Sequence, residues 1–265
     1  MSADQEVAAT VPQIYRDVTD ADGRHGDAAN RIVATNARVP LVAQANRAWL
    51  GRVVDYLARE GVRQFLDIGS GMVDVGSTHE IARAVRPDAR VVYVDIDPET
   101  VRQAADALRD DARAIVVEAD LTQAGELLRR LDAPDVRKVL TFDEPVAVLL
   151  AAVLHFVPDG QLAGDAVATV RDQLAPGSYL AISHGATEAF TAEEVAKLQA
   201  AYQQTTAARP TPRDRGQVAE FFGDLELVDP GLMWISQWRP RAGSQEPAFE
   251  EPRRSGLHAG VGHLR

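Results

Sequence analysis

The sequence predicts an α/β fold, a mostly parallel, Rossmann-like sheet with helices on both faces. Short β-branched runs alternate with helical stretches of about ten residues, the pattern of crossover-connected parallel strands. Some runs, Val91-Val92-Tyr93-Val94 among them, are apolar at every position, as strands covered on both faces must be. The first run, Phe65-Leu66-Asp67-Ile68, stops on Gly69-Ser70-Gly71, a glycine turn that leads towards a helix.

Each element follows from its own pattern. Residues 1–12 read as disordered and 17–27 as a loop of turn formers. A weak helical pattern over 28–37 breaks at Pro40. Over 41–59, Val42, Ala45, Trp49, Val53, Tyr56 and Leu57 recur at helical spacing until Gly61 ends the helix. Strands follow at 65–68, 91–95, 114–118, 145–154 and 179–183, with helices between them at 77–85, 98–109, 125–131 and 165–174. Ser77 and Glu80 have the spacing of a capping box, as do Thr191 and Glu194 at the head of a helix over 191–205. Asp97-Pro98 reads as an ordinary helix start. After a short helix at 215–222, the runs 225–228 and 232–238 flank Asp229-Pro230-Gly231 and predict an antiparallel hairpin at the sheet edge. Residues 240–255, rich in Pro, Gly, Glu and Arg, read as mobile. Trp49, Trp234 and Trp238 read as packing residues.

The unit from Gln64 to Pro98 is a βαβ motif suited to a nucleoside. Asp95 closes its second strand, where a carboxylate can accept from both ribose hydroxyls; Ile96 beside it belongs with the ligand-binding residues. A dinucleotide turn would need a third glycine where Asp74 stands, and the helix begins too late to face a pyrophosphate. Acids near the turn, Asp67 and Asp74, suit a cation instead. S-adenosylmethionine carries a sulfonium and an α-ammonium and no phosphate, so the pattern favours it over NAD. Asp120, at the end of the third strand, can accept from an adenine amino group while the Leu121 amide serves a ring nitrogen.

His155 and His184 follow neighbouring runs. Each is as fit for a satisfied structural role as for a general base near neutral pH. No metal-ligand spacing accompanies them, and no nucleophile turn surrounds Ser70 or Ser183. The formal net charge of -11, from 39 acidic against 28 basic residues, argues against a nucleic-acid surface. With no cysteine, no secretory pattern and no apolar run long enough for a bilayer, the expectation is a cytoplasmic protein with no membrane role and a small-molecule partner.

With these residues laid out, the chain resembles the class I S-adenosylmethionine-dependent methyltransferases. It is most similar to an actinobacterial S-adenosyl methyltransferase family formerly a domain of unknown function. Ala45 to Leu50, Arg63 to Gly69, Thr78-His79-Glu80, Ala89 to Asp95, Ala152 to Asp159, Leu174 to Leu180 and Ser183-His184 carry the resemblance. Phe221-Phe222-Gly223, Asp229-Pro230-Gly231, Trp238-Arg239-Pro240 and the closing Ala259-Gly260-Val261-Gly262 complete it. The resemblance implies a seven-stranded methyltransferase sheet whose last strand is antiparallel and enters through the hairpin. It also implies S-adenosyl-L-methionine as cofactor, with Gly69, Ser70 and Gly71 under the methionine part and Thr78 and His79 lining the loop. Asp95 then takes the ribose and Asp120 the adenine end. The chain departs from the family's N-terminal pattern: Ile14-Tyr15-Arg16-Asp17 is followed by no glycine pair and no lysine. The expected layout is an N-terminal helical cap over 1–60, a cofactor-binding domain over 61–240 and a flexible tail over 241–265, with a final strand that can return to the sheet. An alternative reading keeps the fold and the cofactor as a silent regulatory module.

Overall fold

The computed structural model describes residues 9–19, 26–74, 76–206 and 208–265. Most of the stretch expected to be disordered, and the middle of the expected 17–27 loop, therefore lie outside the described residues. Three helices come first, α1 (Val11–Thr19), α2 (Asp27–Thr35) and α3 (Val39–Arg59). The alternation follows: β1 (Gln64–Ile68), α4 (Thr78–Val85), β2 (Arg90–Asp95), α5 (Pro98–Ala107), β3 (Ala114–Glu118), α6 (Ala124–Leu131), β4 (Val146–Ala151), α7 (Gly160–Arg171) and β5 (Tyr179–Gly185). Two more helices, α8 (Ala192–Thr205) and α9 (Arg215–Glu220), precede the short strands β6 (Glu226–Leu227) and β7 (Met233–Trp234) and the closing β8 (Leu257–His263). Pro40 does not break a helix; it sits in the first turn of α3, where its missing N–H costs nothing.

The strands form one eight-stranded sheet in the order β3-β2-β1-β4-β5-β8-β6, with β7 also on β8. Neighbours from β3 to β5 pair in parallel, and β8 runs antiparallel to β5 along seven residue pairs. The chain winds outward in both directions from β1 and β4, so the crevice at their carboxyl ends is the switch point where open α/β sheets receive ligands. Alternation along the strands feeds two cores. Leu66, Val92, Val94, Val148 and Leu150 face α6, α7 and α9. Phe65, Val91, Tyr93, Ala147 and Leu149 face α3, α4 and α5, where Trp49 and Trp238 meet edge to face at 6.3 Å. A third, smaller core of Ile14, Val18, Ala29, Ile32, Ala43 and Ala201 binds α1 and α2 to α3 and α8. No helix among the described residues is long and apolar enough to cross a membrane.

Two local expectations are corrected. The segments around Asp229-Pro230-Gly231 do not pair with each other. Glu226 and Leu227 pair with His263 and Gly262, while Met233 and Trp234 pair with Ala259 and His258. β8 presents a long free edge, and two short segments laid along it in series satisfy more backbone than a hairpin closed on itself. Ser77 likewise forms no capping box: its hydroxyl turns back to the Asp74 carbonyl, and Glu80 accepts from the Gly76 amide. The Thr191–Glu194 box does form, and the Asp97 carboxylate caps α5 through Thr100. Between 240 and 255, Glu246 pairs with the buried Arg52 and Phe249 packs on the α3 side of the sheet.

Gly69 shows how tightly the switch point is built. Its φ is +70°, and a Cβ there would lie 2.3 Å from the Val153 side chain. Gly69→Ala should therefore lower the unfolding free energy by about 2 to 4 kcal/mol, from left-handed strain plus overpacking. Val153→Ala in the same chain should return part of that loss, which a urea double-mutant cycle measures.

Candidate active site

The carboxyl ends of β1, β2 and β3 lie side by side, so parallel pairing carries Asp67, Asp95 and Asp120 to one rim. Asp67 and Asp95 are each only 4% exposed, and among the described residues neither has an Arg or Lys partner. Asp67 accepts from the Thr78 hydroxyl at 2.6 Å. Burial lifts its carboxyl to about 6, with the Thr78 hydrogen bond opposing and the Asp95 charge adding. Asp95 accepts from the Gly71 amide at 2.8 Å and the Asp97 amide at 3.0 Å, and burial again raises its carboxyl. Asp74, read from the sequence as favouring a cation, is already paired with Arg47.

The turn is shaped by conformation at both glycines but filled differently. Gly69 is closed over by Val153. At Gly71, with φ +64°, a Cβ would meet only Pro12 at 3.9 Å, so the space above it is open below α1. Ile96, next to Asp95, is 62% exposed, so its apolar side chain lies open beside the buried acids. Asp120 uses Oδ1 to hold the Thr122 amide and hydroxyl, and its Oδ2 has no partner among the described residues. His79 and Tyr93 form a closed pair: the phenol donates to Nδ1 at 2.8 Å and accepts from the His79 amide at 2.9 Å.

Beyond the rim, a cavity of about 120 Å³ lies between α1, α3, α8 and the ends of β4 and β5. One hydrogen-bonded chain ties its walls together. The Ala152 amide donates to Ser183 Oγ at 2.9 Å, and Ser183 donates to Asn46 Oδ1 at 2.5 Å. The Asn46 amide then donates to the Tyr15 hydroxyl at 2.9 Å, and Tyr15 donates to the Ala43 carbonyl at 3.0 Å. Ala152, at φ +55°, is held in the left-handed region at the end of β4, the kind of strain that clusters where a site over-determines its backbone. Tyr15 lines both this cavity and the crevice beside Asp67 and Ser70.

Residues 16–265 match the model of the S-adenosyl methyltransferase family. A DUF574 family protein of Streptomyces avermitilis shares 32% identity over 97% of this chain and 98% of its own, with a TM-score of 0.87. A presumed methyltransferase of Thermobifida fusca YX shares 31% identity over 97% and 96%, with a TM-score of 0.85. The chain belongs to the S-adenosyl methyltransferase family. The N-methyltransferase NodS of Bradyrhizobium japonicum WM9, solved with S-adenosyl-L-homocysteine, is similar in fold alone: 12% identity over 95% and 96%, TM-score 0.50. No curated protein matches the chain.

The cofactor of this methyltransferase is therefore S-adenosylmethionine, as the carboxylates at the strand ends suggested from sequence. The expected cofactor residues Asp67, Gly69, Ser70, Gly71, Thr78, His79, Asp95, Ile96, Asp120 and Leu121 all fall on the rim formed by β1, β2, β3 and the head of α4. The two histidines sit apart from it, by the cavity, and they are not equivalent. His155 faces the cavity, and its Nδ1 is buried with no partner. Burial, helped by His184 and Arg213, pushes its imidazole down to about 3. His184 lies behind it, rings edge to face at 5.6 Å, with both nitrogens engaged: Nδ1 donates to the Gly185 carbonyl and Nε2 accepts from Arg213 at 2.8 Å. Burial holds it down at about 4. His184 thus has no free lone pair, a correction to its reading as an equal candidate base. Sequence reasoning missed Tyr15, Asn46, Ser183 and Arg213. Asn46 was the findable one, a polar residue inside the apolar stripe of Val42, Trp49 and Val53.

Asp67 also sets a stability gradient. Because its carboxyl is raised in the fold, its contribution is full below about pH 4 and is lost as pH rises through about 6. Asp67→Asn, which never ionises and still accepts from Thr78, should stabilise the ligand-free protein by about 1 to 3 kcal/mol at pH 8 and by nothing at pH 4. Urea midpoints at the two pH values measure this.

Proposed function

We propose that the protein transfers a methyl group from S-adenosylmethionine, held on the rim of β1, β2 and β3, to a small-molecule acceptor in the cavity under α1. The observation that carries this reading is the pair of buried carboxylates, Asp67 and Asp95, with no cationic partner among the described residues. Each oxygen of Asp95 accepts one backbone N–H and keeps a lone pair for a ribose hydroxyl. Exposed Ile96 supplies an apolar face for adenine, and the free Oδ2 of Asp120 suits the amino group, with the Leu121 amide for a ring nitrogen. The open space above Gly71 admits the methionine part, flanked by Ser70 and Thr78, while Gly69 shapes the turn beneath and His79 holds Tyr93 on the crevice wall.

Bound cofactor supplies a methyl carbon already activated by the sulfonium, so the chain's own contribution is alignment and exclusion of water. Tyr15, common to crevice and cavity, sits where the two ligands meet. His155 is the group placed to take a proton from the acceptor. His184, fixed by Arg213, is the positioning residue behind it.

Calorimetry with S-adenosylmethionine tests the reading. Asp95→Ala should weaken binding at least about tenfold, from two lost charge-assisted hydrogen bonds. In the unsubstituted protein, affinity should fall as pH drops below about 6, because a protonated Asp67 must ionise to receive a cation, and by no more than about tenfold per pH unit. Asp67→Asn should flatten that slope. No heat at pH 8, or an Asp95→Ala protein that binds as well as its parent, sinks the proposal.

A further inference from the structure

We infer that the acceptor is an uncharged, largely apolar molecule that is methylated on a hydroxyl oxygen, and that alkylammonium and carboxylate acceptors are excluded; this rests on the cavity under α1 being the acceptor site. The cavity and the rim divide ligands by charge. The rim presents buried carboxylates, whereas no Asp, Glu, Lys or Arg lines the cavity among the described residues. Its walls are Val42, Phe156, Phe190, Val195, Leu198 and similar side chains. An ammonium or a carboxylate entering it would lose its water and find no counter-ion.

The polar atoms present narrow the class further. The Tyr15 and Ser183 hydroxyl protons and one Asn46 N–H are already engaged, with the Ala43 carbonyl, the Asn46 Oδ1 and the Tyr15 oxygen. What remains is the outer edge of the His155 ring, whose Nε2 makes no hydrogen bond among the described residues, the second N–H of the Asn46 amide, and the Tyr202 hydroxyl, which makes none among the described residues either and which burial keeps protonated. A ring nitrogen facing an apolar cavity has no partner of its own, and a ligand hydroxyl satisfies Nε2 in either tautomer, as donor or as acceptor.

The proton inventory separates oxygen from nitrogen. Desolvation, His184 and Arg213 keep His155 neutral, so it is a weak base. An alkylamine arrives protonated near neutral pH and must be deprotonated before it can attack, which calls for a stronger base and a site that tolerates its charge. A hydroxyl arrives neutral. Its oxygen gives an electron pair to the methyl carbon while the carbon–sulfur bond breaks and its pair stays on sulfur. As the oxygen gains positive charge, its proton becomes acidic enough for a weak imidazole and passes to His155 and then to water. The products are a methyl ether and S-adenosylhomocysteine.

Three probes that share one ring system test this: 2-naphthol, 2-naphthoate and 2-naphthylmethylammonium, titrated at pH 7.5 into the full chain saturated with S-adenosylhomocysteine. We expect naphthol to bind at least tenfold more tightly than either ion. Val195→Asp, on the cavity wall and remote from the rim, should remove most naphthol binding and leave S-adenosylhomocysteine affinity unchanged, with Leu198→Asp as a second wall variant. Naphthol that fails to bind, or an ion that binds equally well, overturns the inference while the cofactor reading stands. If S-adenosylhomocysteine itself fails to bind, the functional reading falls, and the same probes titrated without it still decide the charge preference of the cavity.

Discussion

Two carboxylates buried at neighbouring strand ends, with no cationic partner among the described residues, set the terms for the rest of this structure. A fold ordinarily avoids that arrangement, because burial penalises the charged form, and at Asp67 the Asp95 charge adds to the penalty. Here Asp67 and Asp95 persist because their surroundings go part of the way: a Thr78 hydroxyl for one, two backbone amides for the other. The deficit that remains has the sign and place of a positively charged nucleoside. Stability is given up at the site where binding needs it, the familiar tension between an apo fold and its ligand.

The geometry that makes this deficit coherent is the reversal of strand order at β1 and β4. Because the chain winds outward from that point in both directions, no crossover covers it, and the glycine turn can open into the crevice. Gly69 and Gly71 divide the work. The first lets Val153 pack against the main chain, which locks the end of β4 to the turn, and the second leaves room above it. A sequence motif of two glycines thus hides two different physical demands.

Over this crevice the N-terminal helices form a cover with its own small core, hinged to the sheet by the chain of hydrogen bonds from Ala152 through Ser183 and Asn46 to Tyr15. All its members are neutral and each is held by at least one hydrogen bond, so it rigidifies the cavity wall without leaving a charge inside it. Arg213 plays the matching part on the other side, bridging the Leu154 and Val157 carbonyls to His184. The result is a cleft with a polar, acidic half and an apolar, neutral half.

Sequence alone determined the parallel α/β architecture, the glycine turn and the row of acids, because all of these are written in local periodicity and in residues that end strands. It also carried enough of the family's wording for the cofactor to be expected. It misplaced the Asp229-Pro230-Gly231 segments because a turn signal says that a chain reverses, not what it reverses against, and β8 offered a better edge. It overvalued Asp74 and the Ser77 cap because a carboxylate or hydroxyl is informative only once its partners are known, and Arg47 and the Asp74 carbonyl take them. It could not rank His155 against His184, since the difference lies in Arg213, 29 residues away along the chain. Local pattern fixes which segments are strand, helix or turn; only the tertiary structure decides what each one pairs with and which polar atoms are left over, and function is made of those.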